Sequence, residues 1–115
     1  MSATEDALTK NPDLKGIFVH DDTMCIGVVQ AMKSLGYTGE DIAVISYNGS
    51  ANGAKMIREG DILASAVQPL YNEGKVSVEV CMKAINGEET EAWYKDQIDM
   101  LTADNVETYD PALLW

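Results

Sequence analysis

The most constraining stretch of the sequence is a strand-like run at residues 16–20 that stops at two carboxylates, where a helical pattern begins. The run is apolar on consecutive positions through its middle, which is typical of a parallel strand covered on both faces. Asp21 or Asp22 then caps a helix that runs to about Leu35, where Gly36 ends it. Side chains at the carboxyl end of this strand are therefore expected to face a ligand.

The same strand-then-helix order recurs along the 115 residues. The predicted strands are 16–20, 42–46, 62–67 and 97–102, and the predicted helices are a tail before residue 11, the segment to Leu35, a short one around 54–57 and a long one at 71–86. Ser50 or Asn52 caps the short helix, and a loose tail ends at Leu113–Trp115. The alternation predicts an α/β fold, an open parallel sheet with right-handed βαβ crossovers.

The charge balance excludes some partners. The chain has 19 Asp and Glu against 8 Lys and Arg, for a net charge of -11, so it would repel phosphate backbones, and we expect no nucleic-acid binding by this segment. No apolar run is long enough to span a membrane. Cys25 and Cys81 have no CxxC or histidine partner, which favours two buried thiols over a zinc site or a redox pair.

Polar residues end three successive strands: Asp21 and Asp22 after the first, Asn48 after the second and Gln68 after the third. If the strands are neighbours, these side chains converge. Carboxylate and amide groups together suit a polyhydroxylated ligand, whose hydroxyls both donate and accept hydrogen bonds. Each residue also has a purely local interpretation, as a cap, a turn former or a strand terminator. The repetition at three equivalent positions favours a site.

A catalytic site is not predicted. Adjacent residues such as Asp21 and Asp22 point to opposite sides of an extended strand end, so they cannot flank one bond as a glycosidase pair does. His20 beside them could hold a metal, but a lone strand histidine is more often structural. The sequence has no phosphate loop and no nucleophile elbow. Binding without catalysis, cofactor or metal is the simpler account.

A series of motifs resembles a known family. In chain order they are Asn-Pro-Asp-Leu-Lys-Gly-Ile-Phe at 11–18, Asp-Asp-Thr-Met at 21–24 with Gly27, Ile-Ala-Val-Ile-Ser-Tyr-Asn-Gly at 42–49, Gly60, Ala-Val-Gln-Pro at 66–69 and Asn-Gly-Glu at 86–88. They resemble the carboxyl-terminal part of type I periplasmic binding proteins, especially the ribose- and galactose-type sugar-binding components of ABC importers. The resemblance runs from about residue 5 to the end of the chain.

The resemblance implies which residues bind the ligand. The family pattern is Asn-Asp-x-Met, Phe-Asp-Gly and Ala-Gln after three strands, and its first Asn, its second Asp and its Gln contact sugar hydroxyls. The corresponding residues here are Asp21, Asn48 and Gln68. The carboxylate and the amide at the first two positions are exchanged relative to the family. The same pattern makes Asp21 the expected ligand contact and Asp22 the expected helix cap.

The resemblance also implies partners and a location. The family closes two lobes over its ligand, and this chain would supply part of the distal lobe, with the longer parent located outside the cytoplasm and delivering a sugar or polyol to a membrane permease. A segment lacking most of the amino-terminal lobe should bind weakly. It would expose a sheet edge and the long helix, which predicts self-association to a dimer. The alternative is the effector-binding domain of a lactose-repressor-like transcription regulator, which residues 37–44 also resemble.

Overall fold

The computed structural model describes residues 2–109, in which four helices alternate with four strands. The helices are α1 Ser2–Lys10, α2 Asp22–Ser34, α3 Ala51–Arg58 and α4 Leu70–Ile85; the strands are β1 Gly16–Phe18, β2 Ala43–Asn48, β3 Ala64–Val67 and β4 Asp99–Thr102. The predicted alternation is confirmed, with boundaries within a few residues of the expected ones. The expected loose tail ending at Leu113–Trp115 lies outside the described residues.

The strands form one open sheet in the order β1-β2-β3-β4. The first three are parallel, as predicted for βαβ crossovers, but β4 is antiparallel to β3, so the expectation of an all-parallel sheet is wrong for this strand. Asp99 lies beside Val67, so β4 starts at the end of the sheet where β3 stops. The reason is the connection: α4 carries the chain about 24 Å away, and the segment after it returns to the same end of the sheet.

Helices α2 and α3 cover one face of the sheet. They contact each other, and both pack on β2, because right-handed crossovers that step in one direction place both helices on the same side. Burial alternates along β2 accordingly: Val44, Ser46 and Asn48 are buried, whereas Ile45 and Tyr47 are half-buried. The expectation that the strands are covered on both faces is therefore not met within residues 2–109.

The hydrophobic core lies between this sheet face and the helices. Its buried members include Leu8 of α1, Cys25, Val29 and Met32 of α2, Val44 of β2, Ala54, Met56 and Ile57 of α3, and Leu101 of β4. Cys25 is fully buried, as expected. Cys81 is exposed, so the prediction of two buried thiols is wrong for α4.

Helix α4 is the least embedded element of the described chain. None of its residues is buried, and Tyr71, Val78 and Ile85 are largely exposed. Val76 and Val80 are only half-buried. Among residues 2–109, no helix combines the length and apolar character needed to cross a membrane.

Candidate functional site

The three residues predicted to bind a ligand lie together at the carboxyl ends of the parallel strands β1, β2 and β3, which we call the carboxyl end of the sheet. Asp21 precedes α2, Asn48 is the last residue of β2, and Gln68 directly follows β3. Asn48 Nδ2 donates a hydrogen bond to Asp21 Oδ2, and the Gln68 backbone N–H donates to the Asn48 carbonyl oxygen at 3.2 Å. The Gln68 side chain instead donates to Glu73 Oε2 of α4 at 3.1 Å. The structure thus joins all three residues by hydrogen bonds. Asp21 and Asn48 are joined through their side chains, and Asn48 and Gln68 through their backbones.

Asp21 is the N-cap of α2. Its backbone is extended, with φ -158°, and Oδ1 accepts from the Thr23 and Met24 backbone N–H groups at 2.6 and 3.2 Å. The bond from the Met24 backbone, followed by those from Thr23 and Asn48, holds the pKa of Asp21 below its ordinary value of 3.8, against a smaller opposing effect of desolvation. The expectation that Asp22 is the cap is wrong, because the residue before the first helical one supplies it.

Asp22 has a different role from the one expected. It is the first residue of α2 and only 1% exposed. Its Oδ1 accepts from the Ser46 and Ser65 hydroxyls, the latter at 2.8 Å, and its Oδ2 accepts from the Ser50 backbone N–H and hydroxyl at 2.7 and 2.8 Å. We call Asp22, Ser46, Ser50 and Ser65 the Asp22 cluster. It ties α2, β2, β3 and the start of α3 together.

Sequence reasoning missed this cluster, although the chain carries a signal for it. Ser46 and Ser65 are hydroxyl residues inside otherwise apolar strand runs, and both are fully buried. Buried hydroxyls need hydrogen-bond partners, so two of them on neighbouring strands indicate a shared buried acceptor. Asp22 is that acceptor.

Asn48 and Gly49 form a corner with unusual backbone geometry. Asn48 has φ 116° and Gly49 has φ 67°. A non-glycine residue in such a region costs about 1–3 kcal/mol, so the surroundings must enforce it. Gly49 is required for a second reason: a Cβ there would lie 2.6 Å from Val67 Cγ2. The corner therefore holds the Asn48 side chain beside Asp21 at some energetic cost.

The side chains at the carboxyl end of the sheet can bind a ligand by hydrogen bonds. Asp21 Oδ2 and Asn48 Oδ1 offer acceptors, and the Asn48 and Gln68 amides offer donors. Residues 2–109 contain no group of three or more His, Cys, Asp or Glu side chains placed to hold a metal ion. His20, considered as a ligand from sequence, is exposed and packs edge-on against Phe18, with ring centroids 5.1 Å apart.

Comparison with known proteins decides the family. Residues 1–89 match the family model of the periplasmic binding protein domain. The chain belongs to this family. It is 29% identical over 94 residues to the ribose import binding protein of Salmonella typhimurium strain LT2, and 30% identical over 105 residues to the D-apiose import binding protein of Actinobacillus succinogenes. These matches cover 82% and 90% of the chain.

A solved family structure matches almost the whole fold. It is an ABC transporter solute-binding protein from Agrobacterium vitis with bound D-fucose, with a TM-score of 0.79, 26% identity and 98% of this chain covered. The chain spans only part of each relative: 31% of the Salmonella protein, 33% of the Actinobacillus protein and 39% of the Agrobacterium chain. It therefore corresponds to part of a periplasmic binding protein domain.

Proposed function

We propose that this chain is part of the solute-binding component of an ABC-type sugar importer and binds a sugar or polyol by hydrogen bonds, without catalysis. The observation that carries the proposal is that Asp21, Asn48 and Gln68 lie together at the carboxyl end of the sheet. The names of the relatives support it, because they describe import binding proteins for ribose and apiose.

The hydrogen-bond donors and acceptors at the carboxyl end of the sheet fit a hydroxyl-rich ligand. Two of the acceptor positions of Asp21 are used by its own helix, so Oδ2, shared with Asn48, is the oxygen that can face a ligand. Within residues 2–109, Asn48 Oδ1 accepts no bond. A sugar hydroxyl can donate to these oxygens and accept from an amide. The Gln68 amide gives one N–H to Glu73 and keeps its second N–H and its carbonyl oxygen for a ligand.

We propose that these residues form one side of a site that a second lobe of a longer protein closes. Because these side chains at the carboxyl ends of the strands would cover only one side of a ligand, the chain alone would bind weakly. The longer protein would act outside the cytoplasm and deliver its ligand to the membrane permease of an ABC importer. An effector-binding domain of a lactose-repressor-like regulator shares the expected fold, but the names of the relatives above favour transport.

The site assignment is tested by nuclear magnetic resonance titration of the chain with D-ribose, D-apiose and D-fucose. At least one sugar should shift the side-chain amide signals of Asn48 and Gln68 in a saturable way. Asn48→Ala and Gln68→Ala should each weaken binding by about 1–3 kcal/mol, the usual loss for a hydrogen-bonded group. Gln97→Ala, an exposed amide outside the site, is the matched control. Unchanged affinity in both site variants would reject the assignment.

We also propose that the chain self-associates to a dimer through the free edge of β1. Among the described strands, β1 pairs only with β2, so its outer backbone groups are available for pairing. Beside this edge lies a groove of about 350 Å³, lined by residues of α1, β1 and α2 that include Ala7, Phe18 and Met24. None of the lining residues is acidic, so contact at the groove brings no carboxylates directly together. A second copy offers an identical, self-complementary edge.

A further inference from the structure

Asp22 is the only buried carboxylate among residues 2–109, and the hydrogen bonds of the proposed sugar site do not use it. Four donors surround it, three hydroxyls and one backbone N–H. Such a satisfied buried network fixes the relative positions of the segments that contribute to it.

The cluster reaches the Asn48–Gly49 corner through two consecutive backbone groups. The Gly49 N–H donates to Ser65 Oγ at 3.0 Å, and Ser65 Oγ in turn donates to Asp22. The next N–H along the chain, that of Ser50, donates directly to Asp22 Oδ2 at 2.7 Å. Both amides that follow Asn48 are therefore held by the cluster. A residue at φ 116° keeps that conformation only where its surroundings over-determine it.

Gly53 of α3 leaves the space that the carboxylate occupies. A Cβ at this position would lie 2.4 Å from Asp22 Oδ2 and 2.9 Å from Oδ1. Because hydrogen bonds from β2, β3 and Ser50 restrain the carboxylate, it cannot move aside without breaking some of them. A side chain at position 53 should therefore push on the carboxylate and weaken the same hydrogen bonds that a substitution of Asp22 removes.

We infer that Asp22 is a positioning residue: its buried carboxylate holds the Asn48–Gly49 corner in the conformation that presents the Asn48 amide beside Asp21. The corner is the direct target of this role, and any effect on sugar affinity rests in addition on the function proposed above. The two parts are separable by experiment, because the corner can be observed without a ligand.

The first test follows amide hydrogen exchange in the free chain. In Asp22→Asn the Gly49 and Ser50 amides should exchange about tenfold faster or more, after correction for the change at amides in the middle of β2. The matched control is Asp61→Asn, which removes the 2.7 Å ion pair with Lys33 beyond the far end of α3. It should leave the corner amides unchanged relative to β2. Equal acceleration at the corner and in β2 for Asp22→Asn would overturn the inference.

A second pair of variants keeps the test decisive if Asp22→Asn does not fold. Ser65→Ala removes the acceptor of the Gly49 N–H, and Gly53→Ala crowds the carboxylate. Both should accelerate exchange at Gly49 selectively. Gly74→Ala, where a Cβ meets nothing within 4 Å, is the control for glycine replacement. Absence of selective acceleration in both Ser65→Ala and Gly53→Ala would refute the positioning role.

The third measurement connects the corner to binding. With D-ribose, D-apiose or D-fucose, whichever the unmodified chain binds, Ser65→Ala and Gly53→Ala should raise the dissociation constant about tenfold or more at a temperature where both are folded. A role in stability alone would lower the melting temperature and leave that constant unchanged. If no sugar binds the unmodified chain but the corner amides respond as expected, the proposed function fails and the positioning of the corner stands.

Discussion

Asp21 and Asp22 are adjacent in the sequence and have opposite environments. Asp21 is partly exposed and caps α2 through two backbone N–H groups, while Asp22 is buried among three serines. An N-cap residue is extended and the next residue is helical, so the two side chains diverge. The residue type alone does not separate a surface cap from a buried acceptor. The hydroxyl donors Ser46 of β2 and Ser65 of β3 identify Asp22 as the buried acceptor.

The two cysteines differ in burial and are therefore expected to differ in reactivity. Burial, followed by the negative charges of Asp22 and Asp61, raises the pKa of Cys25 from 9.0 to about 12, whereas Cys81 is exposed on α4. Because the thiolate is the reactive form, Cys81 should react with a thiol reagent within minutes at about pH 8, and Cys25 should react only on unfolding. Thiol titration before and after adding denaturant measures this. Cys81→Ser is the control, and rapid labelling of that variant would contradict the burial of Cys25.

Helices α2 and α4 are both amphipathic in sequence but differ in what they contact. Five residues of α2 are buried, whereas none of α4 is. The apolar pattern of α4 predicts a helix, which the structure confirms, but within the described residues none of the apolar side chains of α4 is buried. Helical stability in proteins comes mostly from packing of the apolar face. A helix without that packing depends on its own propensity, and α4 also contains Gly74, which lowers it.

We therefore expect α4 to open far more readily than α2. In the 115-residue chain the amides of α4 should exchange about tenfold faster or more than those of α2, because local opening requires little loss of buried apolar contact. Hydrogen exchange followed by mass spectrometry or magnetic resonance measures both helices in one sample. Similar protection of the two helices would mean that α4 is covered in solution.

The described part of the chain is extended for its length. Its radius of gyration is 17.7 Å and its extents are 58 × 32 × 17 Å, whereas a compact domain of this size has a radius of gyration of about 13 Å. The cause is α4 and the segment after it, where Trp93 is 80% exposed. A groove of about 640 Å³ between them is lined by Val76, Trp93 and Ile98 among others. Such exposed apolar surface is typical of interaction sites.

We predict that the chain is a dimer at micromolar concentration and that the two copies pair through the free edge of β1. Light scattering should give about twice the monomer mass of 12.5 kDa. Phe18→Lys places a charge on the 60% exposed Phe18 position of this edge. Phe18→Lys should shift the chain toward monomer, while Met82→Lys on α4 should not. A monomer mass for the unmodified chain would exclude the dimer.

The βα units and the positions of Asp21, Asn48 and Gln68 at the strand ends were predictable from the sequence, and the series of motifs indicated the family. These properties follow from local signals: apolar runs, caps, glycines and the residues that end each strand. The antiparallel direction of β4 and the role of Asp22 as a buried acceptor beneath the Asn48 corner became evident in the three-dimensional structure. Strand direction depends on where a long connection returns, and burial depends on which segments meet in space. Neither property is encoded in the residues next to the position concerned.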